Sequence, residues 1–296
     1  MAGESEFFTK LVRSVQLPAA AVADASGKHE RVRRVLNRRY YDLESGTLNS
    51  SVAGSYGKDT EIRPPSDVDI LFELPDGVYY RFLGRSGNIQ SQLLQEVKGV
   101  LVAAFPTTHI RADGQIVSVP FSTYAVEVLP AFRTSDGKYR HADANSGGSW
   151  RTTDPREEMA ALRRSNAATG GKTIHLIKLA KAWKANRNVK IKSLVLELAA
   201  VQFLAQWGSN RLSDGSLSSY AFYDWMMRDF FAWLQRQTNT YWLVPGTYDT
   251  IATGDEWAAQ ARFAASAAAT ACEDHAKGSE WGAAYEWRKI FGDYVE

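Results

Sequence analysis

Asp67 and Asp69 open an apolar run, Asp67-Val68-Asp69-Ile70-Leu71-Phe72, separated by eleven residues from a Gly54-Ser55 pair. Strand side chains alternate between faces, so in an extended run the two aspartates share one face while Val68 and Ile70 point to the core. Carboxylates about 7 Å apart along a strand are a poor acid–base pair but a good ledge for a divalent cation. Hard cations such as Mg²⁺ take oxygen ligands and keep open positions for phosphate oxygens. Gly54 lets a backbone approach a phosphate closely. Ser55 adds a hydroxyl, and consecutive N–H groups in such a turn form an anion nest. Ser66, directly ahead of the strand, either contacts phosphate or closes the turn.

A third acid lies downstream. In Thr123 to Phe132 (TYAVEVLPAF), Tyr124, Val126 and Val128 alternate with Ala125, Glu127 and Leu129. Glu127 thus sits on a face of otherwise small or apolar residues, and a buried acid needs a partner or a metal. A cross-strand ion pair is the structural alternative.

The elements that must hold these residues follow from periodicity. Residues 4–16 and 19–44 read as helices separated by Pro18, with Val32, Val35 and Leu36 on one face of the second. Its arginines, including Arg31, Arg33 and Arg34, read as a solvated face, with a nucleic-acid contact as the alternative. Pro64-Pro65 marks the loop before Asp67, and Asp76-Gly77 reads as a turn after the strand. Gln90 to Phe105 carries a helical stripe of Leu93, Leu94, Val97, Leu101 and Val102, and Asp113-Gly114 predicts a hairpin. Residues 134–150 read as a polar, Gly-rich loop. Asp154-Pro155 predicts a helix start, after which the chain reads as mostly helical. Leu176, Leu179 and Trp183 share one face of a helix, and His175, Lys178 and Lys181 another. Ser193 is placed as the cap of the apolar helix LVLELAAVQFLAQW, in which Glu197 is the one charge and reads as a partnered structural acid. Aromatic helices are expected from Tyr220 to Gln237, from Glu256 to about Ala276, and at the tail, where Trp281, Tyr285, Trp287 and Phe291 have core spacing.

Composition narrows the class. The 296 residues are 45% hydrophobic and 23% charged, with net charge +2, so no overall basic field drives nonspecific nucleic-acid binding. The single cysteine, Cys272, excludes an internal disulfide and a multi-cysteine zinc site. The five histidines are scattered. No apolar run reaches membrane-spanning length, and the start lacks the order of a signal peptide, so a cytoplasmic location is expected, with no membrane partner.

The segments GSYGKDTEIRPPSDVDIL, VEVLPAF, SGGSWRTTDPREE, HLIKLAKAWK and KSLVLEL occur in the order seen in bacterial cyclic-oligonucleotide synthases. The chain therefore resembles the cyclic GMP–AMP synthase-like nucleotidyltransferase (CD-NTase) family of the polymerase-β-like superfamily, over roughly residues 30 to 210. The resemblance implies an α+β fold. A nucleotidyltransferase core of mixed sheet and helices would span residues 1–150, including the N-terminal helices, and a helical lobe 151–296, with the active site in the cleft between them. It implies two Mg²⁺ ions, replaceable by Mn²⁺, on Asp67, Asp69 and Glu127, the last standing where the family carries an aspartate. Gly54 and Ser55 would hold the β- and γ-phosphates, with Lys178, Lys181 and Ser193 reaching the triphosphate from the helical lobe. Leu194 stands where the animal relative has a base-stacking tyrosine, and too few cysteines remain for that relative's zinc-bearing DNA clamp, so no DNA requirement is expected.

The implied activity is condensation of nucleoside triphosphates into a cyclic di- or trinucleotide messenger with release of pyrophosphate, in anti-phage signalling with regulatory protein partners from the same operon. The alternatives are a linear-oligonucleotide synthase, a single-nucleotide transferase to RNA or protein, and a catalytically silent binding relative.

Overall fold

The computed structural model describes residues 2–207 and 222–295. In chain order the elements are α1 (Ala2–Val15), α2 (Ala19–Tyr41), β1 (Ser50–Val52), α3 (Gly54–Gly57), β2 (Val68–Glu73), α4 (Asp76–Leu83) and α5 (Ile89–Ala104). Then follow β3 (Arg111–Asp113), β4 (Ile116–Pro120), β5 (Ala125–Arg133), β6 (Tyr139–Asp143), β7 (Ser149–Thr153) and α6 (Pro155–Ala168). The remainder is α7 (Lys172–Asn186), α8 (Ser193–Trp207), α9 (Tyr223–Leu234), β8 (Tyr241–Leu243), β9 (Thr250–Ala252), α10 (Ala258–Ala276) and α11 (Glu280–Phe291). These form two compact units, Leu17–Met159 and Met1–Gln16 with Ala160–Glu296.

The first unit is built on a seven-stranded mixed sheet of order β1-β2-β5-β4-β3, extended by β6 and β7 from β5. β2 and β5 run parallel, while every other pairing is antiparallel. Ile70, Phe72, Val126 and Val128 pack with Val32 and Leu36 of α2 and with Leu93, Leu94, Val97 and Leu101 of α5. The alternation expected around Glu127 is present, with Val126 and Val128 buried and Glu127 half-buried.

Several expectations are corrected here. Asp76-Gly77 opens α4 instead of forming a turn. Pro75 precedes the first helical residue, Asp76 lies at the positive end of the dipole, and Val78 and Phe82 bury one face. Val102, placed in the α5 stripe, is 39% exposed. The stretch read as a polar loop contains the β6–β7 hairpin, in which Tyr139, His141, Ala142 and Asp143 are buried. Arg33 is buried, not solvated, because its guanidinium donates to Ser50 Oγ (2.6 Å) and to the Thr47 carbonyl (2.8 Å).

The second unit is helical apart from the small β8–β9 pair. It includes α1, which the sequence analysis assigns to the core: Phe8 stacks on Tyr223 at 5.7 Å and meets Trp287 edge-on at 5.1 Å. Two aromatic partners outweigh sequence proximity to α2. Trp183 of α7, Phe230 and Phe231 of α9, and Trp287 and Phe291 of α11 are fully buried. Trp281 and Tyr285, expected in that core, instead stack on each other on the exposed side of α11. α9 is seen from Tyr223, and the expected start at Tyr220 lies outside the described residues. No helix among the described residues is long and apolar enough to cross a membrane.

Candidate active site

The acids are brought together by strand register. In the parallel β2–β5 pair Asp69 lies opposite Glu127, and adjacent strands are about 4.8 Å apart. Asp67 precedes β2 by one residue, and its Oδ1 accepts the Ala125 N–H at 2.7 Å, fixing it to the head of β5. The Ala53 N–H donates to the Asp69 carbonyl at 2.9 Å, which carries the chain from β1 straight over Asp69 into α3.

Gly54 is required at that crossing. Its φ is +56°, and a Cβ there would lie 1.7 Å from Asp69 Oδ2. The Gly-Ser segment is a single helical turn, α3, whose end is tied by the Thr60 N–H to the Ser55 carbonyl (3.0 Å). Ser55 Oγ and Ser66 Oγ stand 3.3 Å apart, so both hydroxyls belong to one patch. Lys58, just after the turn, donates to Glu158 Oε2 at 2.8 Å in a largely buried pair and braces the turn against the start of α6.

The electrostatics follow from crowding. Burial, then the charge of Asp69, then that of Asp67 push the Glu127 carboxyl up to about 7. A half-buried acid raised further by two neighbouring carboxylates marks a site that a cation would relieve. No three side chains of acid, histidine or cysteine type among the described residues are already drawn in as a ligand set, and Asp67 has one oxygen committed to Ala125. The donor set is nonetheless all hard oxygen on a half-exposed ledge with room for further ligands, which fits a Mg²⁺-type ion.

The helical unit groups the other candidates. Lys178 and Lys181 of α7 are buried. Lys181 Nζ donates to Glu197 Oε1 of α8 at 2.8 Å, so Glu197 is the partnered acid anticipated from the sequence. Ser193 is the first residue of α8, and its Oγ accepts from Lys184 Nζ at 3.0 Å. Lys184 is a residue the sequence analysis passed over. Burial and then Lys181 lower its ammonium from the usual lysine range. Its signal was the Lys-Ala-Trp-Lys spacing, which puts Lys184 one turn from Lys181.

Residues 1–166 match the Second Messenger Oligonucleotide or Dinucleotide Synthetase domain. The chain belongs to this family, and its two units have the fold of the CD-NTases. A probable cyclic nucleotide synthase of Bacillus cereus (strain VD146) is 25% identical over 172 residues, covering 49% of this chain and 52% of that protein. The chain thus spans about half the length of this curated relative. Over nearly the whole chain, the fold matches Escherichia coli MS115-1 CdnC in complex with HORMA-deltaN, with TM-score 0.69, 18% identity, and 99% and 98% of the two chains covered. It also matches Vibrio cholerae DncV, a cyclic AMP-GMP synthase in complex with the linear intermediate 5′ pppA(3′,5′)pG, with TM-score 0.64, 15% identity, and 99% and 86% covered.

Proposed function

We propose that the protein condenses nucleoside triphosphates into a cyclic di- or trinucleotide, releasing pyrophosphate, and that it serves anti-phage signalling. The observation that carries this reading is the register pairing of Asp69 with Glu127, with Asp67 fixed beside them and Gly54 passing directly over Asp69. Asp67, Asp69 and Glu127 would hold Mg²⁺, which when bound supplies charge neutralisation for phosphate and lowers the pKa of a coordinated hydroxyl. Gly54 admits a phosphate close to the backbone, and the adjacent Ser55 and Ser66 hydroxyls donate to its oxygens. Glu127, whose carboxyl is raised to about 7 by burial and by Asp69 and Asp67 when no cation is present, would be held as a carboxylate beside Mg²⁺ and is the group we assign to accept the proton of the attacking ribose hydroxyl. Lys178, Lys181 and Ser193 are assigned to the triphosphate, with Lys184 supporting Ser193. Most of the rate then comes from positioning and from preorganised charge.

A cyclic product is favoured because the fold matches a cyclic synthase captured with a linear intermediate, and because the net charge of +2 offers no basic track for a long polymer. The linear intermediate keeps a 5′-triphosphate, which must return to the acids as donor before its own ribose hydroxyl closes the ring. A HORMA-type partner is the regulatory protein suggested by the CdnC complex. The test is incubation with four labelled nucleoside triphosphates and Mg²⁺ or Mn²⁺. The expected product resists phosphatase and has the mass of whole nucleoside monophosphate units less one water each. A phosphatase-sensitive ladder, or label moved to added RNA or protein, would replace this reading with a linear transferase. No pyrophosphate release at all would make the protein a silent relative.

A further inference from the structure

The row of acids continues beyond Glu127. β4 runs antiparallel to β5 with Ser118 opposite Glu127, and β3 runs antiparallel to β4 with Arg111 opposite Ser118. Directly paired residues share a face, so Asp69, Glu127, Ser118 and Arg111 stand in one line across β2, β5, β4 and β3. Their chain neighbours fix which face it is. Val117 and Val119 flank Ser118, Ile110 and Ala112 flank Arg111, and all of these pack into the core on the other side of the sheet. With strands about 4.8 Å apart, Ser118 lies one spacing from Glu127 and Arg111 two, or roughly 10 Å.

The two ends of this line suit anions and its middle a cation. At one end Gly54 crosses over Asp69, with the Ser55 and Ser66 hydroxyls beside each other in the same turn. At the other end Arg111 is exposed and, among the described residues, has no carboxylate partner. Asp113, the next residue on that face of β3, stands about 7 Å further toward the hairpin tip and is not paired with it. A guanidinium without an internal acceptor is suited to phosphate oxygens. Ser118, half-buried between Glu127 and Arg111, brings a hydroxyl that both donates and accepts. Joining two nucleotides needs a phosphate site on each side of the acids, one for the nucleotide that gives up pyrophosphate and one for the nucleotide that supplies the hydroxyl. The sugar hydroxyls of a nucleotide and its 5′-phosphate lie on opposite sides of the ribose. With the attacking hydroxyl at Glu127 and the Asp69 side taken by the donor phosphate, the acceptor's own phosphate lies toward Arg111.

We propose that Ser118 and Arg111 hold the attacking nucleotide, Ser118 through its ribose and Arg111 through its 5′-phosphate, while Gly54, Ser55 and Ser66 hold the donor. This rests on the nucleotidyl-transfer reading above and deepens it by dividing the site into a donor half and an acceptor half. The bond from ribose oxygen to the donor's α-phosphorus forms as the bond from that phosphorus to the β-phosphate oxygen breaks, the proton passing to Glu127 and pyrophosphate leaving. One guanidinium serves both condensations. The first acceptor brings a 5′-triphosphate, and the second, the far nucleotide of the linear intermediate, brings a 5′-phosphodiester.

2′,3′-Dideoxynucleoside triphosphates lack the attacking hydroxyls and act only as donors. Pairing each with each nucleoside or nucleoside 5′-monophosphate in Mg²⁺ therefore isolates the acceptor, and the linear product is read by mass. In wild type the monophosphate should half-saturate at a concentration about tenfold or more below that of its nucleoside, since one charge-assisted contact is worth at least that factor. Arg111→Ala should raise the monophosphate's half-saturation by about the same factor, bringing it level with the nucleoside, and should change that of the dideoxy donor by less than about twofold. Ser118→Ala should weaken both acceptors alike, by roughly two- to tenfold. Both side chains lie off the core face, so the variants should melt with wild type. A wild type that forms no product refutes the transfer reading, and this division of the site with it. Product from wild type, together with an Arg111→Ala variant that keeps its preference for the monophosphate or loses donor affinity instead, overturns the acceptor assignment alone.

Discussion

At pH 8 and without divalent cations, Glu127→Gln should make the protein more stable. Glu127 lies opposite Asp69 on the parallel strand and beside Asp67, and burial together with their charges raises its carboxyl from 4.5 to about 7. Below about pH 4.5 the group is protonated in folded and unfolded chains alike and costs nothing. As pH rises from there to about 7, only the unfolded chain releases its proton, so stability falls, and above 7 the cost is complete. A rise of that size corresponds to about 3 kcal/mol at full effect. Water around this half-exposed ledge screens it to about 1–2 kcal/mol. Glutamine has no charged form, so the variant should match wild type at pH 4.5 and exceed it by that amount at pH 8. Urea unfolding in EDTA across this range measures the difference. Comparing the two curves removes the contribution of His29, His141 and His175, whose burial lowers their pKa and gives stability that is lost as pH falls. Added Mg²⁺ should stabilise wild type more than the variant. Parallel pH profiles for the two proteins, or a variant weaker than wild type at pH 8, would refute the clustering argument.

Asp67→Asn with Asp69→Asn should abolish pyrophosphate release, while metal-free unfolding shows no loss of stability because like charges have been removed; a collapse in EDTA would make these aspartates structural. Gly54→Ala should abolish turnover, since its Cβ would stand 1.7 Å from Asp69 Oδ2 at a φ of +56°, and normal initial rates would show that the carboxylate moves at no cost. Lys181→Ala should destabilise the protein, by at most about 3–5 kcal/mol, by removing the ammonium that donates to buried Glu197. Lys181→Met with Glu197→Leu should restore stability in urea but leave triphosphate affinity at least tenfold reduced, and full affinity in that double variant would remove Lys181 from the triphosphate site.

The spacing from Gly54-Ser55 to Asp67 and Asp69, and the alternation through Glu127, were enough to nominate the acid cluster, because period-two patterns fix which face a side chain takes. Strand order was not legible in the same way. Nothing local to TYAVEVLPAF says that β5 lies beside β2, or that the pairing is parallel with Asp69 opposite Glu127. The family resemblance supplied that neighbourhood. The misreadings share one cause, tertiary partners overriding local polarity. Arg33 looked solvated until Ser50 and Thr47 supplied its acceptors. Residues 134–150 looked like a loop until His141 and Asp143 found buried places in a hairpin. Trp281 and Tyr285 looked like core because aromatic spacing cannot distinguish a buried stripe from a stacked exposed pair.

The lysines of the helical unit and the acids at the head of β2 and β5 are placed differently, and that contrast bears on how a nucleotide would be received. In the helical unit the lysines are already answered: Lys181 by Glu197 and Lys184 by Ser193. A phosphate there must compete with an internal partner, which limits affinity for the wrong anion, since the desolvation of the lysine has already been met within the fold. In the sheet-containing unit three acids are gathered at the head of one parallel strand pair. The Ala125 amide steadies Asp67 and the Ala53 amide holds the Asp69 backbone, while burial and then the charges of Asp69 and Asp67 raise the Glu127 carboxyl to about 7. Such a cluster of like charge gains stability from an added cation, as the lysines of the helical unit gain theirs from partners within the fold.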